Sequence, residues 1–149
     1  MKTIRTWVLI ADAGRARVLE NRGPGTGMRG VEGLELENET LPSRELGRDR
    51  PARTFDSEGK GRHAIDPKTD PHREQKRDFA RTLAALLEEA LKEGSYDRLV
   101  IAAPPPFLGD LRDALPPAVR AVVSSEIVKD LTKVPVPELQ SHVASVLRL

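Results

Sequence analysis

The sequence predicts an α/β fold around a mixed sheet of about five strands, in the order β-β-β-α-β-α-β-α. Three observations carry this reading. Residues 7–11 and 98–103 are short apolar runs closed by turn residues, the mark of strands buried on both faces. Phe79, Leu83, Leu86, Leu87, Ala90 and Leu91 recur at helical spacing. Beyond that stripe, strand-like and helix-like segments alternate, which calls for helical crossovers between parallel strands. With 149 residues and 38% hydrophobic composition, the chain is expected to form one domain, residues 1–149, around one core.

Residues 6–12 (TWVLIAD) read as a central strand that turns at Ala13-Gly14, and residues 15–20 (RARVLE) as its hairpin partner. The glycines at 23, 25 and 27 open a loop, after which residues 34–41 (LELENETL) alternate well enough for a third, half-exposed strand. Asp70-Pro71 is a helix start, with Asp as the capping acceptor and Pro at a position that needs no donor, and Gly94 is the stop. Residues 98–103 follow as a buried strand, 107–115 as a short helix after three prolines, and 119–123 as a strand with a possible extension to 128. Residues 137–147 close the chain as a helix with Leu139, Val143 and Val146 on one face. This element order is that of ribonuclease-H-like folds.

Composition excludes several chemistries. With no Cys there are no disulfides, thiolate nucleophiles or zinc ribbons, and no apolar run approaches a membrane span or a signal-peptide core. A soluble, cytoplasmic protein with no membrane partner and no cofactor is expected. A formal net charge of +1 does not mark a general polyanion binder, and 3% aromatic residues disfavour a base-stacking platform. Residues 43–78 nevertheless hold ten Lys+Arg against eight Asp+Glu, so the small cationic excess sits mid-chain.

The stretch at about 43–70 is where activity is expected. Its only sizeable apolar side chains are Leu46, Phe55 and Ile65, and a connection this long is usually functional or disordered. Gly59-Lys60-Gly61-Arg62-His63 sets pliant backbone beside cations, and Arg44, Arg48, Arg50 and Arg53 precede it. Arg48, Arg50, Arg53, Gly59, Lys60, Gly61, Arg62 and His63 are therefore the expected RNA- or anion-binding residues, glycine giving close approach and Arg62 a fork for phosphate. The interleaved Glu45, Asp49, Asp56 and Glu58 support an alternative in which Arg62 and His63 pin the stretch to the domain through Asp56 or Asp66.

Other constellations are weaker. His63, Asp66, Asp70 and His72 have metal-ligand composition, yet their spacing fits no metal motif and Asp70 already serves as the expected helix cap. A two-metal nuclease could place Asp12 at the end of the first strand, but the fourth ends Ala102-Ala103-Pro104 with no acid, so Asp12 reads as a turn residue. Residues 23–27 lack the Lys-Ser/Thr of a P-loop, and no Ser–His–Asp arrangement can be argued. No catalytic or metal residue is assigned.

Asp49-Arg50-Pro51 with Phe55-Asp56-Ser57, Gly61-Arg62-His63-Ala64, Thr69-Asp70-Pro71-His72, the RLVIAAP run at 98–104, Phe107-Leu108-Gly109 and Lys129-Asp130-Leu131-Thr132 together resemble the bacterial host-attachment protein family. The resemblance implies a fold like the middle domain of archaeo-eukaryotic class-1 peptide-chain release factors. There a Gly-Gly-Gln loop between the third strand and the long helix assists peptidyl-tRNA hydrolysis. The corresponding GKGRHA at residues 59–64 has the glycines without the glutamine, so peptidyl-tRNA hydrolysis by that mechanism is not expected, and without a codon-reading domain neither is stop-codon termination by this chain alone. The leading expectation is a non-enzymatic module contacting ribosomal or transfer RNA through residues 44–63. The alternatives are a protein-interaction factor in attachment or stress adaptation, and an ester hydrolase with His63 as base. Oligomeric state stays open.

Overall fold

The structure, a computed structural model, describes residues 3–41 and 70–147. Strand β1 (Thr6–Ala11) is buried at every position and lies at the centre of a five-stranded sheet ordered β3-β2-β1-β4-β5. Strand β2 (Arg15–Asn21) pairs with it antiparallel, and β3 (Arg29–Glu37) pairs antiparallel with β2. On the other side β4 (Arg98–Ala102) and β5 (Val123–Ile127) run parallel to β1. The sheet is thus the mixed, ribonuclease-H-like arrangement that the sequence predicts.

Burial of β1 and of Leu99–Ala102 in β4 follows from helices on both faces. Trp7, Leu9, Leu99 and Ile101 point into a core under α1 (Arg73–Lys92), α2 (Phe107–Ala114) and α3 (Pro117–Arg120). Val8, Ile10, Val100 and Ala102 point the other way, against Leu139 and Val143 of α4 (Val136–Val143). Two-sided burial is why both strands read as unbroken apolar runs rather than alternating ones. The α1 stripe forms as expected, with Phe79, Leu83 and Leu87 buried and Leu86, Ala90 and Leu91 packed at its margin. Gly94 ends the helix at φ +77°, its N–H donating to the Leu91 carbonyl at 3.0 Å while Ser95 N–H donates to Ala90 at 2.9 Å. A Cβ would strain that left-handed turn.

Five boundaries differ from the sequence reading by more than one residue. β3 begins at Arg29, because Gly30 and Arg29 pair with Leu19 and Glu20; the glycines read as breakers, yet an edge strand tolerates them around a register shift. It ends at Glu37, where the Asn38 carboxamide oxygen accepts from Thr40 N–H at 3.3 Å and its hydroxyl at 2.7 Å, folding residues 38–41 into a turn. α1 starts at Arg73, not at Asp70-Pro71, because the Asp70 carboxylate closes a local turn on His72 N–H at 2.8 Å instead of capping the helix. Val119 lies in α3, which Pro116-Pro117 initiate, so β5 starts only at Val123, and α4 ends at Val143 rather than 147.

The ring of Tyr96 stacks on Trp7 at 4.7 Å between centroids, and its hydroxyl donates to the Leu87 carbonyl at 2.8 Å. Burial raises the phenol to about 12, so it is a neutral donor at every physiological pH. Tyr96→Phe removes this second bond to a carbonyl that keeps its helical partner, and is expected to cost about 1 kcal/mol in denaturant unfolding.

Candidate functional site

Parallel strands deliver their carboxyl ends to one side of the sheet, where crossovers diverge and leave a crevice. Here the ends of β1 and β4 open into a cavity of about 390 Å³ lined by Asp12, Asp70, Arg73, Lys76, the Pro104–Phe107 run and Asp110. Its walls are the β1–β2 turn, the start of α1 and the proline run that enters α2 through a cis Pro105–Pro106 peptide.

Charges in the cavity are arranged in pairs. The Arg73 guanidinium donates through both terminal nitrogens to Asp110, at 2.8 and 2.6 Å, in a bidentate fork. Asp110 is only 7% exposed although it lies in a helix that is otherwise apolar on this side. Lys76 Nζ donates to Asp70 Oδ2 at 2.8 Å, and this bond, with the His72 N–H, holds the Asp70 carboxyl below its ordinary range.

Asp12 is held differently, by backbone N–H groups and a hydroxyl. One oxygen accepts from Gly14 N–H at 2.8 Å and Arg15 N–H at 3.0 Å, the turn role that the sequence predicts. The other lies 3.3 Å from the Thr132 hydroxyl, which is also 2.6 Å from Asp130. The short contact makes Asp130 the main acceptor of that hydroxyl proton, and the longer one sets Asp12 beside it. Burial pushes the Asp12 carboxyl up, and its neighbour Asp130 adds to this against the opposing turn N–H groups. Burial also acts to raise Asp130, but the Thr132 hydroxyl and N–H, with Asp12 and Lys133 nearby, outweigh it and hold Asp130 low. The two acids thus stand as a pair with opposite shifts between β1 and the chain that follows β5.

This makes a signed prediction. A carboxyl raised in the folded state binds more protons there than in the unfolded chain, so its contribution favours folding at low pH and is lost as pH rises above the ordinary value of 3.8. Asp12→Asn keeps an acceptor for the turn and supplies a donor toward Thr132 and Asp130. It is expected to leave stability at pH 7 unchanged or higher by up to about 1 kcal/mol, and to flatten the fall of the thermal midpoint as pH rises above the ordinary carboxyl range.

Arg17 closes the far side. Its guanidinium donates to the Leu131 carbonyl at 3.0 Å and to the Val134 carbonyl, strapping the segment after β5 to the sheet; burial lowers its pKa while Glu35 opposes.

Arg48, Arg50, Arg53, Gly59, Lys60, Gly61, Arg62 and His63 all lie outside the described residues, as do Arg44 and Asp66. What is described is the anchorage of that stretch. Asn38 is 5% exposed and its amide donates to the Ala13 carbonyl at 3.1 Å and to the Gln75 carbonyl at 3.2 Å, while its own N–H donates to Gly14 at 2.9 Å. One side chain therefore ties the end of β3, the β1–β2 turn and the first turn of α1 together at the cavity. Among the described residues, no three His, Asp or Glu side chains stand together as metal ligands, and no helix is long and apolar enough to cross a membrane.

Arg73, Lys76, Asp110 and Asp130 are site residues that the sequence reading does not single out. A signal is present. Thr69–His72, the RLVIAAP run, Phe107–Gly109 and Lys129–Thr132 are separate motifs, and their described residues meet at or beside this one cavity.

Residues 7–143 match the family model described as "Protein required for attachment to host cells". The chain belongs to that family. The resemblance drawn from the separate motifs is thereby established over nearly the whole of this host-attachment protein. No curated protein matches it. Among solved structures it is similar to the crystal structure of an archaeal translation termination factor, aRF1, at 10% identity and TM-score 0.47, covering 95% of this chain and 38% of that one. A second, described as an archaeal protein, gives 11% identity and TM-score 0.47, with 95% and 40% covered. This host-attachment protein thus spans well under half the length of either.

Proposed function

We propose that this host-attachment family member is a non-enzymatic binding module that presents residues 44–63 to ribosomal or transfer RNA. The observation that carries the reading is the Asn38 clamp, which joins the flanks of the 42–69 connection beside the cavity. Residues 44–63, with five Arg, one Lys and the Gly59–Gly61 pair, belong to that connection. The domain itself brings the two flanks together, so binding does not have to supply that part of the ordering. Arginine forks suit phosphate oxygens, and glycine lets backbone N–H groups come close to them. The pairing of Arg73 with Asp110 and of Lys76 with Asp70 argues for the connection, not the cavity, as the phosphate-contacting part.

Co-sedimentation of the purified chain with ribosomes, at low and moderate salt, tests this. Binding is expected to fall at least about tenfold across that salt range and about tenfold more in an Arg62→Ala/His63→Ala variant with unchanged circular dichroism. No co-sedimentation of the parent at low salt, with no shift of tRNA in a gel, overturns the RNA reading and turns the search to a protein partner.

A further inference from the structure

The cavity at the carboxyl ends of β1 and β4 is left unused by the RNA reading, and its charges do not balance. Three carboxylates, of Asp12, Asp70 and Asp110, line it against two cations, Arg73 and Lys76. Both cations are committed: the Arg73 fork closes on Asp110, and Lys76 Nζ lies 2.8 Å from Asp70. Among the described residues, Asp12 is the lining carboxylate with no ion pair. It also has an oxygen short of a donor. Gly14 N–H and Arg15 N–H both serve Oδ1, at 2.8 and 3.0 Å, while the hydroxyl nearest Oδ2, that of Thr132, gives its proton to Asp130 through the shorter contact. Asp12 is half-buried, so a small molecule in the cavity can reach it. A carboxylate drawn out of water without a counter-charge is unfavourable, and burial does push this carboxyl up, with Asp130 behind it adding to the negative potential.

We infer that the cavity binds a small primary amine, its ammonium on Asp12 Oδ2 and its alkyl part against the Pro104–Phe107 wall. The uncompensated charge is negative, which turns away free anions and leaves a place for one cation. An ammonium brings donors to an oxygen that lacks one, whereas a fully alkylated ammonium brings charge alone. The three consecutive prolines and Phe107 offer ring carbons and no polar side-chain atom, so the rest of the ligand gains by being apolar. A volume of about 390 Å³ is at the small end for ligand sites and suits a short alkylamine. The position agrees, because open α/β sheets take their ligands in the crevice at the carboxyl ends of parallel strands. None of this uses residues 44–63, so the amine site stands or falls independently of the RNA reading.

The test is a titration of butylammonium chloride into the isotopically labelled full chain, followed by NMR, with ionic strength held constant by sodium chloride. Saturable shifts are expected in the amide signals of Ala13, Gly14 and Phe107. Butanol, which has the alkyl chain without the charge, and tetramethylammonium, which has the charge without a donor, should each bind at least about tenfold more weakly. Asp12→Asn, which keeps an acceptor for the turn, should weaken butylammonium binding by at least about tenfold and leave the signals of residues remote from the cavity in place. A parent without saturable shifts overturns the inference. Equal binding of either control compound overturns it too, as does parental affinity in Asp12→Asn, since the cavity would then be an apolar pocket or an unspecific one. Should Asp12→Asn fail to fold, the comparison of the three compounds in the parent still decides.

Discussion

Arg73→Ala is expected to destabilise the protein by about 3–5 kcal/mol, measured by urea unfolding with circular dichroism. The substitution strands the Asp110 carboxylate at 7% exposure with both oxygens stripped of their fork. Desolvation, not lost attraction, sets the size of the effect. The matching Asp110→Ala should also destabilise, but by less, because the Arg73 side chain is 22% exposed and can turn its guanidinium to water. Replacing both residues, as Arg73→Met with Asp110→Leu, removes the two charges together and should recover most of the loss. A double variant as unstable as Arg73→Ala alone would show that the pair contributes more than charge compensation. The salt bridge also joins α1 to α2 across the mouth of the cavity, so the same series reports on how firmly that mouth is held.

Trp7→Ala should cost about 3–5 kcal/mol as well, by a different route. The indole is 4% exposed, lies in the core between the sheet and α1, stacks on Tyr96, and donates from Nε1 to Glu20 at 3.3 Å. Truncation opens a cavity between the sheet and α1, beside Leu99, its register partner on β4. Trp7→Phe, which keeps a ring to stack on Tyr96, should recover half or more of the loss. A loss below about 1 kcal/mol for Trp7→Ala would mean that the site collapses freely. That would contradict a strand locked on both sides by β2 and β4.

What is legible in the sequence follows burial. β1, β4 and α1 are readable because two-sided burial leaves an apolar run and one-sided helical burial leaves a stripe, and both patterns survive in composition. The start of β3 lies five residues before its expected place, at Arg29 and not Leu34, because an exposed edge strand keeps no apolar signature. Its glycines are tolerated by pairing that only tertiary structure supplies. Val119 reads as strand because a buried valine in a four-residue helix has too few neighbours to show a helical period. The site is half legible. Asp12 is recognisable by its turn bonds, which are local, whereas its meeting with Asp130 at the Thr132 hydroxyl joins residues far apart in the chain and has no local trace. Asp110 is hidden for a related reason: an acid on an apolar helix announces a partner without saying which.

Asn38 has a consequence for how such a chain can change over time. Its bonds run to main-chain carbonyls, of Ala13, Gly14 and Gln75, so no residue between Leu41 and Asp70 is a party to the clamp. A substitution in the 42–69 connection leaves every bond of the clamp in place, whereas Asn38→Ala removes both side-chain bonds at once. The fastening and the cationic sequence can therefore change independently of one another.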